Sequence, residues 1–551
     1  MKRNSIALNY IWKNSKKYLP KILFLVILNV ISSLLFVFTA FFSGRLLDNA
    51  IDNGSGTIIV NALIVLSAII AQFIFGAISA IINIRVSTVL AVKLKDDFFL
   101  NIVHKKYSDI NAYHSGELLN RFVTDVDAVV GFAISVLPEL AYIFSVITAG
   151  CVSLIYLNAW FVLIVVGLLF IVPLVGRFTG KTYKRLYKNV QVSEGKTRSF
   201  FQENIANMII LKSFNGEMLT RYKLSEYLNE NRDLRIKRGK FSVFIGIAIA
   251  LLFSLCYYGV LIYGAYGLAS GLMSYGMLIT FLQLVSQMRT PLKNLSGIVP
   301  RYYTAIASAE RLLDVINLEN ESVNASVEQQ TQLINDFKTL KFENVSFAYS
   351  YENVLENCSF TINKGDVVAI TAESGFGKTT LFKLLLGLYK TSEGKVTIND
   401  NIRVDATTRC LFSYVPQGNK IISGTIRDNL TFFSKDYNDE TINNALQTVF
   451  LKNDIDNLPN KLDTVLKEGG EGLSDGQLQR LAIARALIND APVLLLDEAT
   501  AELDENTECK ILENINKLSD KTVLFITHRS SAMAVCKHIL RGQNKNFVMI
   551  K

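Results

Sequence analysis

Six long apolar stretches dominate the first 315 residues: Ile22–Ser43, Thr57–Ile82, Val129–Tyr156, Trp160–Gly176, Phe241–Gly267 and Tyr275–Ser296. A helix needs about 20 residues to cross the hydrocarbon core of a bilayer. Each stretch meets or nearly meets that length, the fourth being the shortest. The competing account, the core of a large soluble helical protein, fails on the length of these stretches and their scarcity of charge. Six transmembrane helices are expected.

The placement of charge supports this. Half of the 551 residues are hydrophobic, and 57 basic against 48 acidic residues leave a net charge of +9. Such an excess suits either a nucleic-acid partner or a membrane protein with basic cytoplasmic loops. Lys2, Arg3, Lys13, Lys16, Lys17 and Lys21 precede the first span, and Arg85–Arg121 and Arg177–Lys240 are also strongly basic. The connections Leu46–Gly56, Leu157–Ala159 and Leu268–Ser274 hold no Lys or Arg. By the positive-inside rule, both termini face the cytoplasm. A multi-pass protein of the cell membrane is expected, with lipid around it and no nucleic-acid partner. The six cysteines are scattered without metal-ligand spacing and read as reduced packing residues. No cleavable signal is evident in the opening segment.

Val86–Lys105 and Thr182–Asn207 keep helical apolar periodicity, so the spans are expected to continue as helices into the cytosol. Glu139, Arg289 and Lys293 are charges within spans, with Gln283 and Gln287 on nearby turns. Buried charge in a membrane marks function by default. Two accounts stand: a polar cavity that meets an anionic part of a cargo, and a structural ion pair with Glu139. Asn317–Asp336 is rich in Asn, Gln, Ser and Glu and reads as a solvated linker.

The last third changes character. Val367–Thr371 is a buried-type strand that runs into Ala372-Glu373-Ser374-Gly375-Phe376-Gly377-Lys378-Thr379-Thr380 and then an apolar helix. This is a phosphate loop in its strand–loop–helix setting. Glycines let backbone amides curl around phosphate oxygens, the lysine reaches the β- and γ-phosphates, and the hydroxyl of Thr379 holds magnesium. Ala372 replaces the usual first glycine; were φ positive there, alanine would cost about 1 kcal/mol and weaken nucleotide binding slightly. Further on, Ser474-Asp475-Gly476-Gln477 has the spacing of a helix capping box. Val493–Leu496 reads as a strand buried on both faces, ending in Asp497-Glu498. Carboxylates at such a strand end stand where open α/β sheets bind ligands.

In their order and spacing, Leu473–Asp504 and the phosphate loop resemble the signature helix and Walker B strand of the ABC-type ATPases. With six spans upstream, the whole chain resembles an exporter-type ABC half-transporter. The implied fold is an α-helical six-span transmembrane domain with long cytoplasmic helix extensions (1–315), a linker (316–338), and an α/β P-loop ATPase domain (339–551). The implied site is assigned residue by residue. Tyr349 stacks on adenine; Ser374, Gly375, Phe376, Gly377, Lys378, Thr379 and Thr380 cradle the phosphates of ATP. Thr379, Gln417 and Asp497 hold Mg2+, Glu498 polarises the attacking water, and His528 contacts the γ-phosphate. Ser474 and Gly476 complete the site of an opposite subunit, and Gln477 and Asp504 are further nucleotide-binding residues. Short coupling helices near Tyr107–Tyr113 and Asn207–Phe214 dock on the ATPase domain, with His114–Arg121, Asp125 and Ser308–Leu312 also resembling family patterns. Within Thr464–Gly472, Glu468 resembles a coupling contact.

One phosphate loop and one signature imply a dimer. The full catalytic set favours a homodimer, while Ala372, Asp475 and Glu502 depart from the family pattern and leave a heterodimer open. The expected function is ATP-driven export of a hydrophobic or amphipathic cargo: a peptide, a lipid or a drug. An importer of the same fold for a metal–chelator complex, and an ATP-gated channel or regulator, stand as alternatives. The chain shows no N-terminal peptidase domain, which argues against a transporter that processes its own leader peptides.

Overall fold

In the computed structural model, which describes residues 2–52, 55–157, 159–321, 326–418, 421–434, 436–467, 470, 472–518 and 520–550, the helices run far beyond the apolar stretches that predict them. They are α1 (Lys2–Ser15), α2 (Leu19–Ile51), α3 (Ser55–Val103), α4 (Tyr107–Ile110), α5 (Ser115–Asn120), α6 (Val126–Leu157), α7 (Ala159–Ala206), α8 (Met208–Ser213), α9 (Glu217–Ala269) and α10 (Tyr275–Ile316). At about 1.5 Å per residue, the 49 residues of α3 span about 74 Å, more than twice the hydrocarbon core. The surplus matches the helical extension beyond the span expected from periodicity. Among the described residues, four helical segments are long and apolar enough to cross a membrane: Asn4–Ile51, Gly56–Val103, Ser115–Tyr156 and Glu217–Ala269. The fourth predicted span falls in α7, where the side chains of Trp160–Gly176 lie outside the described residues. The sixth falls in α10, where the same holds for residues 292, 293, 295 and 296, Lys293 included.

The chain divides into two units. The first comprises Met1–Ile102 and His114–Asn317; the second comprises Val103–Tyr113 and Leu318–Lys551. Within the first, Val37, Leu154, Phe253 and Phe281 belong to one buried cluster. At the outer end expected from charge, the Asp48 carboxylate accepts from the Ser274 hydroxyl and the Gly276 amide, both at 2.7 Å. A Cβ on Gly276 would lie 2.0 Å from the Gly44 carbonyl oxygen, so glycine lets α2 and α10 touch. Between α5 and α6, Arg121–Asp125 forms a π-helical turn. There Asp125, almost fully buried, accepts from Ser308 at 2.8 Å and from Arg311 Nε at 2.8 Å. Arg121 donates to the Arg311 carbonyl oxygen at 3.0 Å. Two segments singled out separately in the sequence are thus one structural joint.

In the second unit, α11 (Val327–Asn335) precedes a four-stranded antiparallel sheet. The strands of this unit are β1 (Thr339–Ala348), β2 (Asn353–Asn363), β3 (Val367–Thr371), β4 (Glu393–Ile398), β5 (Ile402–Arg403), β6 (Phe412–Val415), β7 (Gly424–Thr425), β8 (Val465–Leu466), β9 (Val493–Asp497), β10 (Thr522–Ile526), β11 (His538–Gln543) and β12 (Asn546–Met549). The helices continue as α12 (Lys378–Leu385), α13 (Ile426–Thr431), α14 (Asp439–Thr448), α15 (Lys452–Asp456), α16 (Asp475–Ile488), α17 (Glu505–Asn516) and α18 (Ser530–Ala534). The larger sheet runs β12-β11-β3-β10-β9-β6. All its pairings are parallel except β11 with β12. Every residue of β9 and β10 is buried, the pattern of a sheet covered on both faces.

Candidate functional site

Parallel register assembles the site. Ile526 of β10 pairs with Ile370 of β3 and with Asp497 of β9, and Leu496 of β9 pairs with Val415 of β6. The carboxyl ends of four neighbouring strands therefore lie side by side. From them issue the phosphate loop (after β3), Gln417 (after β6), Asp497 and Glu498 (β9) and His528 (after β10). This is where open α/β sheets bind ligands.

The side chains then interlock. Lys378 Nζ donates to the carbonyl oxygens of Ala372 (2.8 Å) and Glu373 (3.2 Å), and lies 2.9 Å from His528 Nε2. A lysine ammonium has only donors, so Nε2 is the unprotonated ring nitrogen in that contact. Thr379 Oγ1 donates to Asp497 Oδ1 at 3.1 Å, and Gln417 Nε2 donates to Glu498 Oε2 at 2.6 Å. Burial pushes the Asp497 carboxyl above its ordinary range, opposed by the hydroxyls of Thr379 and Tyr414. Burial also holds the Lys378 ammonium below its ordinary value, against the pull of Glu498 and Asp497.

The loop itself has the backbone that its glycines suggest. Gly375 and Gly377 have φ of +80° and +97°, and Gly377 caps α12, whose first residue is Lys378. Amides at a helix start offer both donors and positive potential to phosphate. Ser374 and Gly375 are exposed, Phe376 is half-buried against Phe547, and Thr380 is buried beside the Tyr349 hydroxyl at 3.1 Å. Ala372 is not among the described residues with positive φ, so the strain expected there does not arise. Space is made elsewhere: a Cβ on Gly542 would lie 2.6 Å from the Ala372 methyl and 2.5 Å from Phe376.

The donor set fits a hard cation. The Thr379 hydroxyl and Asp497 carboxylate are adjacent, and Gln417 brings an amide carbonyl to the same group of strand ends; all are oxygen ligands of the kind magnesium takes beside phosphate.

Ser474 accepts from the Gln477 amide at 3.3 Å and donates its own amide to Gln477 Oε1 at 2.9 Å, the capping box read from the sequence. Asp475 is exposed in the first turn of α16, where a carboxylate suits the helix dipole. Gly476 lies under the loop before α17: an added Cβ would be 3.4 Å from the Glu502 carbonyl oxygen. Asp504 caps α17 through the Thr507 amide at 2.9 Å, and hydrogen bonds from the Thr507 side chain and amide hold its carboxyl below the ordinary range. Glu468 lies outside the described residues.

Three residues acquire a place that the sequence did not give them. Tyr414 donates to Asp497 Oδ2 at 3.1 Å and is itself pushed well up by burial beside that carboxylate. Arg529 holds the loop after Glu498, donating to the carbonyls of Leu503 (2.7 Å) and Ala501 (2.8 Å) and to Glu508 (2.9 Å). Tyr389 stands against Tyr349. Only Arg529 carried a signal, its position next to His528.

In the membrane unit, Glu139 pairs with Arg301 at 2.8 Å, not with Arg289, which is exposed. A cavity of about 710 Å3 opens between α2 and α6, walled by Leu34, Phe38, Phe41, Phe42 and Val152. Arg45 is the charged residue in its lining, and its guanidinium sits 5.5 Å from the Phe42 ring centre. Arg45 lies one residue before the connection Leu46–Gly56, which holds no Lys or Arg.

Comparison with known proteins agrees with this architecture. Residues 22–292 match the family of the ABC transporter transmembrane region, and residues 355–501 match the ABC transporter family. The chain is 30% identical to the lactococcin G processing and transport ATP-binding protein of Lactococcus lactis, covering 94% of this chain and 73% of that one. It is 31% identical to the pediocin PA-1 transport/processing ATP-binding protein of Pediococcus acidilactici, covering 91% and 70%. It is 28% identical to the ATP-dependent lipid A-core flippase of Mannheimia succiniciproducens, covering 90% and 86%. Its fold superposes on that of a bacterial Atm1-family ABC exporter with ATP bound, with a TM-score of 0.82 at 22% identity, over 97% of this chain and 94% of that one. A membrane domain and an ATP-binding domain fused in one chain, each matched in sequence and together in fold, make this protein a member of the ABC transporter family, in its exporter-type arrangement.

Proposed function

We propose that the chain is one half of a dimeric exporter that spends ATP to move a hydrophobic or amphipathic molecule across the membrane. The observation that carries this reading is the interlocked set at four strand ends: Lys378 with His528, Thr379 with Asp497, and Gln417 with Glu498. Phosphoryl transfer to water needs positioning and charge neutralisation more than covalent chemistry. Lys378 and the loop amides bind the phosphates, Thr379 and Asp497 hold magnesium with Gln417, and Glu498 accepts a hydrogen bond from the attacking water. Magnesium, when bound, neutralises charge on the phosphates. His528 keeps contact with the γ-phosphate side of Lys378. Ser474 and Gly476 serve the site of the second subunit, which this chain's single set of motifs requires. A homodimer is the simplest assembly, because every catalytic position is filled.

For the cargo, the cavity between α2 and α6 favours an apolar or amphipathic molecule. Relatives named for bacteriocin transport, multidrug resistance and lipid A-core flipping span the same range of chemistry. The polar account of Arg289 keeps one supporting observation: Gln287 Oε1, on the same helix, is buried without a hydrogen-bond partner.

The test is ATP hydrolysis by the protein in reconstituted membranes, with and without candidate peptides, lipids and drug-like amphiphiles. Stimulation by one class, and flux of that class into inverted vesicles, is the expected result. Sustained flux down a gradient in Glu498→Gln with ATP present, where a pump stalls, would instead identify a gated pore. Outward flux from inverted vesicles would identify an importer.

A further inference from the structure

We propose that Tyr389 is a positioning residue that conveys occupancy of the adenine position to helix α4. The proposal rests on the reading of Tyr349 as the adenine platform.

Tyr349 is about half exposed on one side and engaged on the other. Its ring centre is 5.2 Å from that of Tyr389, at an interplanar angle of 87°. Tyr389 in turn meets Tyr107, the first residue of α4, at 5.9 Å and 84°. Both contacts are edge-to-face, the attractive arrangement for aromatic rings. Asn111, just past α4, donates its side-chain amide to the Tyr389 hydroxyl at 3.3 Å. Lys383 Nζ lies over both rings, 5.5 Å from Tyr349 and 6.0 Å from Tyr389, so the two rings share one cation. Three tyrosines thus form an unbroken line from the expected base site to α4, all within one compact unit.

The residues just before α4 are fastened differently. Glu321 donates its amide to the His104 carbonyl oxygen at 2.8 Å, and Lys106 does the same to Glu319 at 3.1 Å. Lys105 Nζ, buried, donates to the Leu318 carbonyl oxygen and to Asn320 Oδ1, both at 2.7 Å. Glu321 then receives both Arg409 Nη groups, at 3.0 and 3.1 Å. A two-toothed ion pair of this kind fixes geometry. Residues 104–106 are therefore pinned through the linker to the ATPase unit, whereas Tyr107 and Asn111 meet Tyr389 by ring contact and one long hydrogen bond. A short helix anchored just before its first residue, and touched at Tyr107 and again past its end at Asn111, tilts about that anchor when the touching group moves. A base stacked on Tyr349 fixes that ring, and Tyr389 transmits the constraint.

The experiment is amide hydrogen exchange on the full chain in lipid nanodiscs, without nucleotide, with a non-hydrolysable ATP analogue, and with inorganic tripolyphosphate. The analogue is expected to slow exchange across Tyr107–Tyr113 by about fivefold or more, and tripolyphosphate, which lacks a base, is not. Tyr389→Ala should abolish this response while the analogue still binds; Tyr389→Phe, which keeps the ring, should preserve most of it. A wild-type response in Tyr389→Ala, or equal protection by tripolyphosphate, overturns the proposal. The adenine reading is tested apart: Tyr349→Ala should weaken binding of the analogue and not of tripolyphosphate, and unchanged affinity refutes that reading whatever Tyr389 does. Should exchange in β9 and β10 show that Tyr389→Ala loosens the fold, Tyr107→Ala, which removes the far ring, carries the same expectation and the same overturning result.

Discussion

The two ends of the ATPase unit that are expected to face nucleotide are built on opposite plans. At the phosphate-loop end, hydrogen bonds join residues far apart in sequence: Lys378 to His528 across 150 positions, Thr379 to Asp497 across 118, and Gln417 to Glu498 across 81. At the signature end the capping bonds are local, Ser474 with Gln477 and Asp504 with Thr507, each across 3 positions, while Arg529 ties the loop before Asp504 from a distance. The first end is a property of the folded sheet; the second is a property of two helix starts. A site made of long-range contacts is organised before any partner arrives. A pair of capped helix ends presents donors outward and needs a second surface to act on.

That contrast can be broken most severely at Glu498. Loss of a general base costs typically 10²–10⁴-fold in rate, so Glu498→Gln should abolish nearly all ATP turnover while leaving ATP bound; persistent turnover would remove Glu498 from its role. Mixed dimers sharpen the contrast. With Lys378→Ala in one chain and Ser474→Ala in the other, a site shared between chains leaves one intact copy. With both changes in a single chain, no intact copy remains. The reverse ranking of activities would place both ends in one chain's own site. Ser474→Ala alone should also cost about 1 kcal/mol of stability through loss of the cap, read by thermal unfolding.

A smaller effect concerns pH. In the proposed roles, magnesium binding needs Asp497 deprotonated, and burial raises its pKa; phosphate binding needs Lys378 protonated, and burial lowers its pKa. As pH falls through the raised Asp497 value the metal is lost, and as pH rises through the lowered Lys378 value the phosphate contact is lost. Both limbs of the ATPase profile should therefore move inward. Tyr414→Phe deletes a hydroxyl that lowers the Asp497 pKa, so the acid limb should move further up. An acid limb that stays put or moves down detaches Tyr414 from the site. Next comes Gly542→Ala, where overpacking against Ala372 and Phe376 should cost about 1–3 kcal/mol and weaken ATP binding. The smallest effect belongs to Ala372→Gly, because φ at 372 is not positive; a large gain in ATP affinity would contradict the described backbone.

The same contrast explains what the sequence made legible. Phosphate loop, capping box and acidic strand end are each contiguous, so spacing alone identifies them. Tyr414 stayed silent because its role depends on β6 lying beside β9, with Tyr414 in register with Leu495. Asp125 and Arg311 were both noticed, yet their bond spans 186 positions and only the fold joins them. Arg289 drew attention by its depth in a span, whereas the partner of Glu139 is Arg301. Those two arginines are 12 residues apart on α10, about 120° around a helix of 3.6 residues per turn, and depth does not report the face.

Glu498 adopts φ of 50°, a left-handed conformation that costs a non-glycine residue about 1–2 kcal/mol. Strain of this kind gathers at working sites. Glycine would relieve it, so Glu498→Gly should unfold at no lower temperature than the native chain while hydrolysing no ATP. Robustness and turnover therefore pull this position in opposite directions. In a lineage that no longer needed transport, 498 is a position where drift away from glutamate would meet least resistance from the fold.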